Sequence, residues 1–230
     1  MIFYKTKFKH LAFTLAEVLI TLGIIGIVAA MTIPTLYGNM QKRQTVAKLQ
    51  KAISLINQAY RLSYNDNGDL TASEVMGIGT ENYFNMYWAP YIKAEVCKTY
   101  TQCGYNSAFP WKKLNNTKHS IQVVAPDART TFLTPEGSIF IILTYSGGNT
   151  ITANSEVFVD INGGKLPNTL GKDVFELTRI QNEHGVEIVP LGNTLPANKI
   201  DSNCTKGASG IYCAEKIRRA GWKIDATYPW

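Results

Sequence analysis

The chain has 230 residues, 45% of them hydrophobic, and a formal net charge of +6. This length allows one membrane segment and one globular domain of ordinary size. The modest positive surplus, with no block of five or more Lys or Arg residues, gives little reason to expect nucleic-acid binding.

Recognisable catalytic motifs are missing from the sequence. It contains no Gly-x-Ser-x-Gly elbow, no His-Glu-x-x-His pair and no phosphate-binding glycine loop. The three histidines, His10, His119 and His184, stand far apart, and we expect the last two on a polar surface. The sequence therefore predicts a protein that is not an enzyme and that needs no cofactor.

The first predicted element is an apolar segment, Phe13–Pro34, which holds one carboxylate, Glu17. No charged residue follows until Lys42. A helix over residues 13–37 would be about 37 Å long, enough to cross a bilayer with some tilt. Three lysines precede the segment without any acid, which favours a cytoplasmic N-terminus and a head outside the cytoplasm. A carboxylate within such a segment is costly and requires a partner.

These residues resemble the leader and N-terminal helix of type IV pilins and type II secretion pseudopilins. The resemblance rests on a short basic leader, a small residue, Phe13, an acid four residues later and a long apolar run. It implies that a prepilin peptidase removes residues 1–12, cutting between Ala12 and Phe13, and methylates the new amine of Phe13. The family usually has Gly before the cut, and this chain has Ala12.

The resemblance also gives roles to residues inside the helix. Glu17 matches the family's acid, which sets the register of subunits during assembly. Pro34 matches a helix-weakening proline, and Gly23 and Gly26 weaken the same region. Two readings stay open for these three residues: a simple kink at the membrane surface, or a segment that melts when subunits pack into a filament.

The helix is predicted to continue beyond Pro34 with a different character. Apolar residues recur at spacings of three and four on one face, while basic residues take the others; the apolar set is Val46, Leu49, Ile53, Ile56 and Tyr60. The run Asn65–Asp69 predicts the end of the helix. We therefore divide the chain into a leader (1–12), a transmembrane and stem helix (13–65) and a globular head (66–230).

The head is predicted to be α+β, with an antiparallel sheet against which the long helix packs. A short aromatic helix, Glu81–Lys93, should contribute Tyr83, Phe84, Tyr87 and Trp88 to the core. Turns are expected at Pro135–Gly137 and Ser146–Asn149, and a helix at Ala214–Ala220 with Gly221 as its C-cap. The predicted strands are Ile121–Ala125, Thr130–Leu133, Ser138–Tyr145, Glu156–Ile161 and Val174–Ile180.

The four cysteines form two local groups, Cys97 with Cys103 and Cys204 with Cys213. If the head lies outside the cytoplasm, disulfides can persist there. Short loops close most readily, so the two local pairings are favoured, while cross-pairing, a metal site or free thiols remain alternatives.

A loop of the head also resembles one in pseudopilin heads, where some family members bind calcium. It runs from Asp160-Ile161-Asn162-Gly163 through Pro167-Asn168 to Gly171-Lys172-Asp173. The resemblance implies oxygen ligands from Asp160, Asn162, Asn168 and Asp173, although calcium needs six to eight of them. The alternative is that these side chains hydrogen-bond to their own backbone in turns.

The preferred hypothesis is a structural subunit of a type II secretion or type IV pilus filament. Its partners would be other pilin or pseudopilin subunits, the prepilin peptidase, an inner-membrane assembly platform and membrane lipid. One rival is an ordinary signal peptide cut after Ala30, which would release a secreted binding protein or enzyme. Another is an uncleaved anchor that carries a sensor or adhesin head.

Overall fold

The computed structural model describes residues 14–68, 70, 72–125, 128–143, 156–183 and 185–230. The chain forms two units, residues 1–41 and residues 42–230. The helices are α1 (Leu15–Asn67), α2 (Ala72–Ile78), α3 (Thr80–Tyr83), α4 (Ala197–Asn203) and α5 (Cys213–Arg219), with a π-helical turn at Phe84–Trp88. The strands are β1 (Glu95–Val96), β2 (Arg129–Leu133), β3 (Ile139–Leu143), β4 (Glu156–Asp160), β5 (Val174–Asn182) and β6 (Gly185–Pro190).

The part of α1 in the first unit is apolar on every side. Leucine, isoleucine and valine side chains from Leu15 to Leu36 are exposed, with Leu15 at 79% of its full accessibility. Within the described residues, α1 is the helix whose length and composition would allow it to cross a membrane. An all-round apolar helix without protein around it is suited to lipid or to a bundle of like helices.

The second unit is built on a six-stranded antiparallel sheet with the strands in chain order. Strand β3 lies in the middle, and Ile139, Phe140, Ile141 and Ile142 are buried because both faces of the sheet are covered. Phe140 and Ile142 point to one core, and Ile139 and Ile141 to the other. This alternation follows from the two-residue period of a strand. The predicted α+β class with an antiparallel sheet is confirmed.

The second half of α1 covers the first of these faces. Val46, Leu49, Ile56 and Tyr60 are buried there, and Ile53 packs at the edge of the same core. The spacing of apolar residues therefore predicted the buried face of the helix correctly. The aromatic residues Tyr83, Phe84, Tyr87 and Trp88 are also buried in this core, as the sequence predicts. The ring of Trp88 stacks on that of Tyr60, with centroids 5.9 Å apart.

The side chain of Asn57 is hydrogen-bonded to β6, the edge strand of the sheet. Asn57 donates from Nδ2 to the carbonyl oxygen of Ile188 at 2.7 Å and accepts from the Ile188 N–H at 2.8 Å. Its amide thereby makes the two hydrogen bonds that a further strand would make to β6. One turn later, the Tyr60 hydroxyl accepts from Arg179 Nε of β5 at 2.6 Å. These bonds fix the register of the helix on the sheet.

The strand prediction was wrong at Ile121–Ala125, which is irregular. Val123 and Val124 are buried there without a ladder, since the Val123 N–H donates to the Ala108 carbonyl and the Val123 carbonyl accepts from the Thr131 hydroxyl. An apolar run alone cannot separate a strand from a loop pressed onto the core. The short edge strands β1 and β6 and the helix α4 were not predicted.

The remaining predicted elements lie close to the observed ones. Strands β2, β3, β4 and β5 overlap the predicted runs, and Pro135–Gly137 turns between β2 and β3. Helix α5 starts one residue before its predicted beginning, and Gly221 follows it with φ +69°, a conformation that glycine adopts without strain. The turn predicted at Ser146–Asn149 falls outside the described residues.

Loops cover the second face of the sheet, and two of them touch backbone to backbone. A Cβ placed on Gly164 would collide with the carbonyl oxygen of Gly104 and would lie 3.1 Å from the Tyr105 nitrogen. No side chain can be moved aside to relieve such a contact, because both neighbouring groups belong to the main chain. The loop after β4 and the loop closed by Cys97 and Cys103 therefore need a glycine where they meet.

We expect Gly164→Ala to lower the free energy of unfolding by about 1–3 kcal/mol, the usual cost of overpacking. The measurement is thermal unfolding of the full-length protein in detergent. Gly207→Ala is the matched control, because a Cβ there meets nothing within 4 Å and Gly207 has no positive φ. Equal melting temperatures for the two variants would contradict this loop contact.

Candidate assembly site at the start of the long helix

The carboxylate of Glu17 is bound at the N-terminus of its own helix. Thr14 is the residue before α1, and both its N–H and its hydroxyl donate to Glu17 Oε2 at 2.8 Å. The Glu17 N–H in turn donates to Thr14 Oγ1 at 3.2 Å. Thr14 and Glu17 therefore form a capping box, in which two N–H groups of the first turn find partners.

This capping box explains in part how a carboxylate is stabilised at the start of an apolar helix. The positive end of the helix dipole favours a carboxylate in the first turn, and the box satisfies one of its oxygens. The pattern Thr14-Leu15-Ala16-Glu17 is a threonine followed three residues later by glutamate, the usual signature of a capping box. Sequence reasoning missed Thr14 because it treated Glu17 only as a group awaiting a partner from another chain.

A second cluster of functional interest lies in the loop after β4, where the structure brings Asp160, Asn162, Asn168 and Asp173 together. Asp173 accepts from the backbone N–H groups of Asn168 at 2.8 Å and Thr169 at 2.6 Å. It also accepts from the side-chain amide of Asn162 at 3.2 Å. The carboxylate of Asp173 is thus enclosed by three protein donors.

Asp160 is buried with comparable support. Its Oδ2 accepts from the Tyr105 hydroxyl at 2.8 Å, and its Oδ1 accepts from the Asn162 N–H at 3.2 Å. Burial, followed by the nearby charge of Asp173, raises the pKa of Asp160 well above its ordinary value. Burial likewise raises the pKa of Asp173, although its hydrogen bonds oppose the shift.

The amide of Asn168 decides how this cluster is neutralised. With its nitrogen turned inward, Asn168 donates to Asp160 Oδ2 and to the Lys165 carbonyl, both at 3.2 Å. With its oxygen turned inward, three oxygens would face one another and a cation would be needed between them. The first orientation gives the Asn168 amide two acceptors, while the buried Asn162 Oδ1 has no hydrogen-bond partner among the described residues. No set of three or more His, Cys, Asp or Glu residues suited to a metal occurs in the described part of the chain. The four side chains therefore form a hydrogen-bonded cluster, and calcium binding by this loop stays a prediction.

Comparison with known proteins identifies the N-terminal segment. Residues 7–33 match the prokaryotic N-terminal methylation motif. The chain carries the prepilin cleavage motif of type IV pilins and pseudopilins. No curated protein and no solved structure matches the chain.

The prepilin motif carries general consequences for this protein. It is the motif of type IV pilin-like or pseudopilin subunits, a structural family without enzymatic activity. It implies processing by a prepilin peptidase and assembly with other pilin subunits. Together with the apolar first half of α1, it fits a membrane-anchored protein.

The other residues of the prepilin segment with predicted roles lie as follows. Ala12 and Phe13, the expected cleavage and methylation positions, fall outside the described residues. Gly23, Gly26 and Pro34 all lie inside α1, which is helical on both sides of the proline. Melting of this region in a filament stays a prediction.

All four cysteines are bonded as local pairs, Cys97 with Cys103 and Cys204 with Cys213. The first bridge closes a loop of the second core, and the second joins the end of α4 to the start of α5. These are the pairings that short loops favour. The predicted disulfide bonds are confirmed, and no free cysteine remains among the residues described.

His119 is buried, and its predicted surface position was wrong. Its ring lies against Trp111 and Phe158, with centroids 6.3 and 5.8 Å away, and its Nδ1 accepts from the Ile121 N–H. Burial, followed by the charge of Lys113, lowers the pKa of His119 to about 4, which keeps it neutral at pH 7. Nothing in the sequence around an isolated histidine indicates that its side chain is buried. His184 lies outside the described residues.

Glu176 on β5 is a buried carboxyl group. Burial, followed by the negative charge of Glu156, raises the pKa of Glu176 from 4.5 to about 8. The folded chain therefore holds a proton that the unfolded chain releases. Stability from this group is fully present below pH 4.5 and is lost as the pH rises towards 8.

We expect Glu176→Gln to stabilise the full-length protein by about 1–3 kcal/mol at pH 8 and to leave its stability at pH 4.5 unchanged. The measurement is the free energy of unfolding between these two pH values. Glu183→Gln, at an exposed position, is the control and should preserve the original pH dependence. Parallel pH profiles for Glu176→Gln and the unmodified protein would contradict the assignment.

Proposed function

We propose that the protein is a structural subunit of a type II secretion or type IV pilus filament. A prepilin peptidase cuts before Phe13, and the subunit assembles through the apolar half of α1, with residues 66–230 outside the cytoplasm. The observation that carries the proposal is the match of residues 7–33 to the methylation motif at the start of an exposed apolar helix. The assembly platform and membrane lipid are its further partners.

The proposed assembly step begins with the acid in the capping box. Cleavage leaves a positive amine on Phe13, one residue before Thr14. In a bundle of apolar helices, the Glu17 carboxylate of one subunit pairs with the amine of the next. An acid without a partner is costly in that environment, so this pairing sets the axial register of each subunit as it leaves the membrane. Contacts between apolar helices then hold the filament together.

Thr14 is a positioning residue in this proposal, because it holds the Glu17 carboxylate towards the helix N-terminus. We expect Thr14→Val to leave cleavage intact and to reduce incorporation into filaments about fivefold, the equivalent of a cap worth about 1 kcal/mol. Thr14→Ser keeps the hydroxyl and should restore normal incorporation. The measurement is the ratio of filament-bound to membrane-bound subunit. Equal ratios for valine and serine would show that the hydroxyl plays no part.

The proposal as a whole is tested by isolating filaments from cells that produce the protein with and without its prepilin peptidase. We expect the subunit in the filament fraction only when the peptidase is present. A secreted protein cut after Ala30 would instead be free in the medium or periplasm. An uncleaved anchor would stay in the membrane fraction in both strains, and either result would contradict the proposal.

We also propose that the head works without a cofactor and that hydrogen bonds alone hold Asp160 and Asp173. Protein donors already surround both carboxylates, which supports this proposal. Addition of calcium to chelator-treated protein should leave its melting temperature unchanged. A rise with calcium that disappears in Asp160→Ala would establish calcium binding by the loop and overturn this part.

A further inference from the structure

The apolar run of α1 ends without a charged residue, and a group of basic residues follows it directly. The group consists of Lys42, Arg43 and Lys48. The acidic residues nearest to it in the sequence are Glu17 and Asp66, so no neighbour one turn away on the helix neutralises it. We call Lys42, Arg43 and Lys48 the basic collar of α1.

The three side chains of the basic collar leave the helix in different directions. At about 100° per residue, Arg43 points about 100° away from Lys42, and Lys48 about 240° away. The collar therefore surrounds the helix instead of forming one face. Its extent along the axis is about 9 Å, because each residue adds about 1.5 Å. This extent is close to the thickness of the headgroup layer of one leaflet, roughly 5–8 Å.

Carboxylates of the head do not neutralise the basic collar. Among the residues that the structure describes, none of its three members takes part in an ion pair. Arg43 and Lys48 are exposed, and Lys42 is half-buried. Lys51, the next basic residue of α1, is excluded from the collar because it pairs with Glu136 at 3.2 Å. The collar therefore holds three charges that the described part of the chain leaves without a counter-charge.

The residues just before the basic collar are typical of a membrane interface. Tyr37 directly follows Leu36, an exposed apolar residue, and is itself 56% exposed. Tyrosine is enriched at headgroup level because its ring is apolar and its hydroxyl is polar. Asn39 and Gln41 then add polar, uncharged side chains before Lys42. Along the sequence, the side chains thus change from those that suit hydrocarbon to those that suit headgroups.

We propose that the basic collar binds the phosphates of anionic phospholipids in the leaflet on the side of the head. The inference rests on the proposed function in one respect, namely that the apolar part of α1 spans the membrane. Each Lys or Arg close to an anionic lipid surface adds to the attraction. The guanidinium of Arg43 holds a phosphate through two parallel hydrogen bonds, while each lysine acts as a point charge.

Cleavage of the leader gives this contact a role. Three lysines precede the apolar segment, and in the proposed function they leave with the leader. The collar then provides the first basic side chains next to the apolar segment. Basic residues on the head side oppose the charge rule that orients the segment, and anionic lipid on that side offsets this cost. The collar therefore holds the mature subunit in the membrane until assembly removes it from the lipid.

The test is native mass spectrometry of the full-length protein in a neutral detergent, with equal amounts of phosphatidylglycerol and phosphatidylcholine. Every sample carries the leader substitutions Lys5→Gln, Lys7→Gln and Lys9→Gln, so that the leader adds no charge. The collar variant combines Lys42→Gln, Arg43→Gln and Lys48→Gln. We expect the parent to bind phosphatidylglycerol about fivefold more than phosphatidylcholine, and the collar variant to bind both lipids about equally. Unchanged thermal unfolding of the collar variant establishes that it is folded.

A control variant removes the same charge elsewhere on the head, through Lys93→Gln, Lys199→Gln and Lys223→Gln, all at exposed positions. It should keep the lipid preference of the parent. Equal losses of preference in the collar and control variants would attribute binding to net charge and overturn the proposal. The absence of any preference in the parent would overturn it as well.

Glycerol 3-phosphate distinguishes a lipid from a soluble anion, because it carries a phosphate without acyl chains. At the concentration of the lipid it should not displace phosphatidylglycerol, and displacement would assign the collar to a soluble anion instead. None of these measurements requires a filament, since the isolated subunit is measured. Loss of the lipid preference would therefore leave the filament proposal standing, and a failure to form filaments would not change the lipid result.

Discussion

Replacing Glu17 by alanine is expected to leave prepilin cleavage intact and to remove the subunit from filaments. The variant loses the carboxylate that would meet the amine of the neighbouring Phe13, and the amine is then left among apolar helices without a partner. Truncation of one member of a buried charge pair costs about 3–5 kcal/mol, which corresponds to a loss of incorporation of at least a hundredfold. The measurement is the amount of processed subunit in isolated filaments relative to that in the membrane.

Thr21→Ala is the control for this experiment, since Thr21 is a polar residue of the same apolar run and, among the described residues, its hydroxyl bonds to the Val18 carbonyl. It should be processed and incorporated as the unmodified protein is. Glu17→Ala also removes the capping box, so Thr14→Val shows how much of the loss comes from the cap alone. Normal filament yield from Glu17→Ala would refute the pairing of Glu17 with an amine.

The second large effect is expected at Asn57, where α1 is bonded to the sheet. Asn57→Ala removes both hydrogen bonds to Ile188 and leaves an N–H and a carbonyl of β6 without their partner. An unsatisfied pair of this kind should lower the free energy of unfolding by about 2–3 kcal/mol and the melting temperature by about 5–10 °C. The measurement is denaturation of the full-length protein in detergent, followed by tryptophan fluorescence.

Gln58→Ala is the matched control, because Gln58 is the next residue of the helix and, among the described residues, its side chain bonds to the exposed Ser54 hydroxyl. Its stability should stay within about 0.5 kcal/mol of the unmodified protein. Asn57→Asp keeps the acceptor but turns a carboxylate oxygen towards the Ile188 carbonyl, so at neutral pH it should be no more stable than Asn57→Ala. A melting temperature for Asn57→Ala equal to that of Gln58→Ala would mean that water replaces the bonds to β6 without loss.

Elements whose pattern is local were predicted well from the sequence. The apolar face of α1 followed from the spacing of Leu49, Ile56 and Tyr60, and strands β2 to β5 followed from β-branched and aromatic runs. The failure at Ile121–Ala125 has a physical cause. Val123 and Val124 are buried in a loop, where the Val123 carbonyl accepts from the Thr131 hydroxyl. A loop buried in this way has the same apolar sequence pattern as a strand.

Features that join distant parts of the chain could not be predicted in this way. Asn57 and Ile188 are 131 residues apart, and nothing near either residue indicates the other. The candidate assembly site likewise has one part that was predicted and one that was not. The motif located Glu17 from sequence alone, while the box with Thr14 was present in the sequence and was overlooked.

The mass of the mature N-terminus tests the central claim most directly. Protein purified from cells with an active prepilin peptidase would be digested and its N-terminal peptide sequenced by mass spectrometry. A chain that begins at methylated Phe13 is the result that this account predicts, because only that cut places a free amine four residues before Glu17. A chain that begins at Met31, or one that keeps residues 1–12, would contradict it.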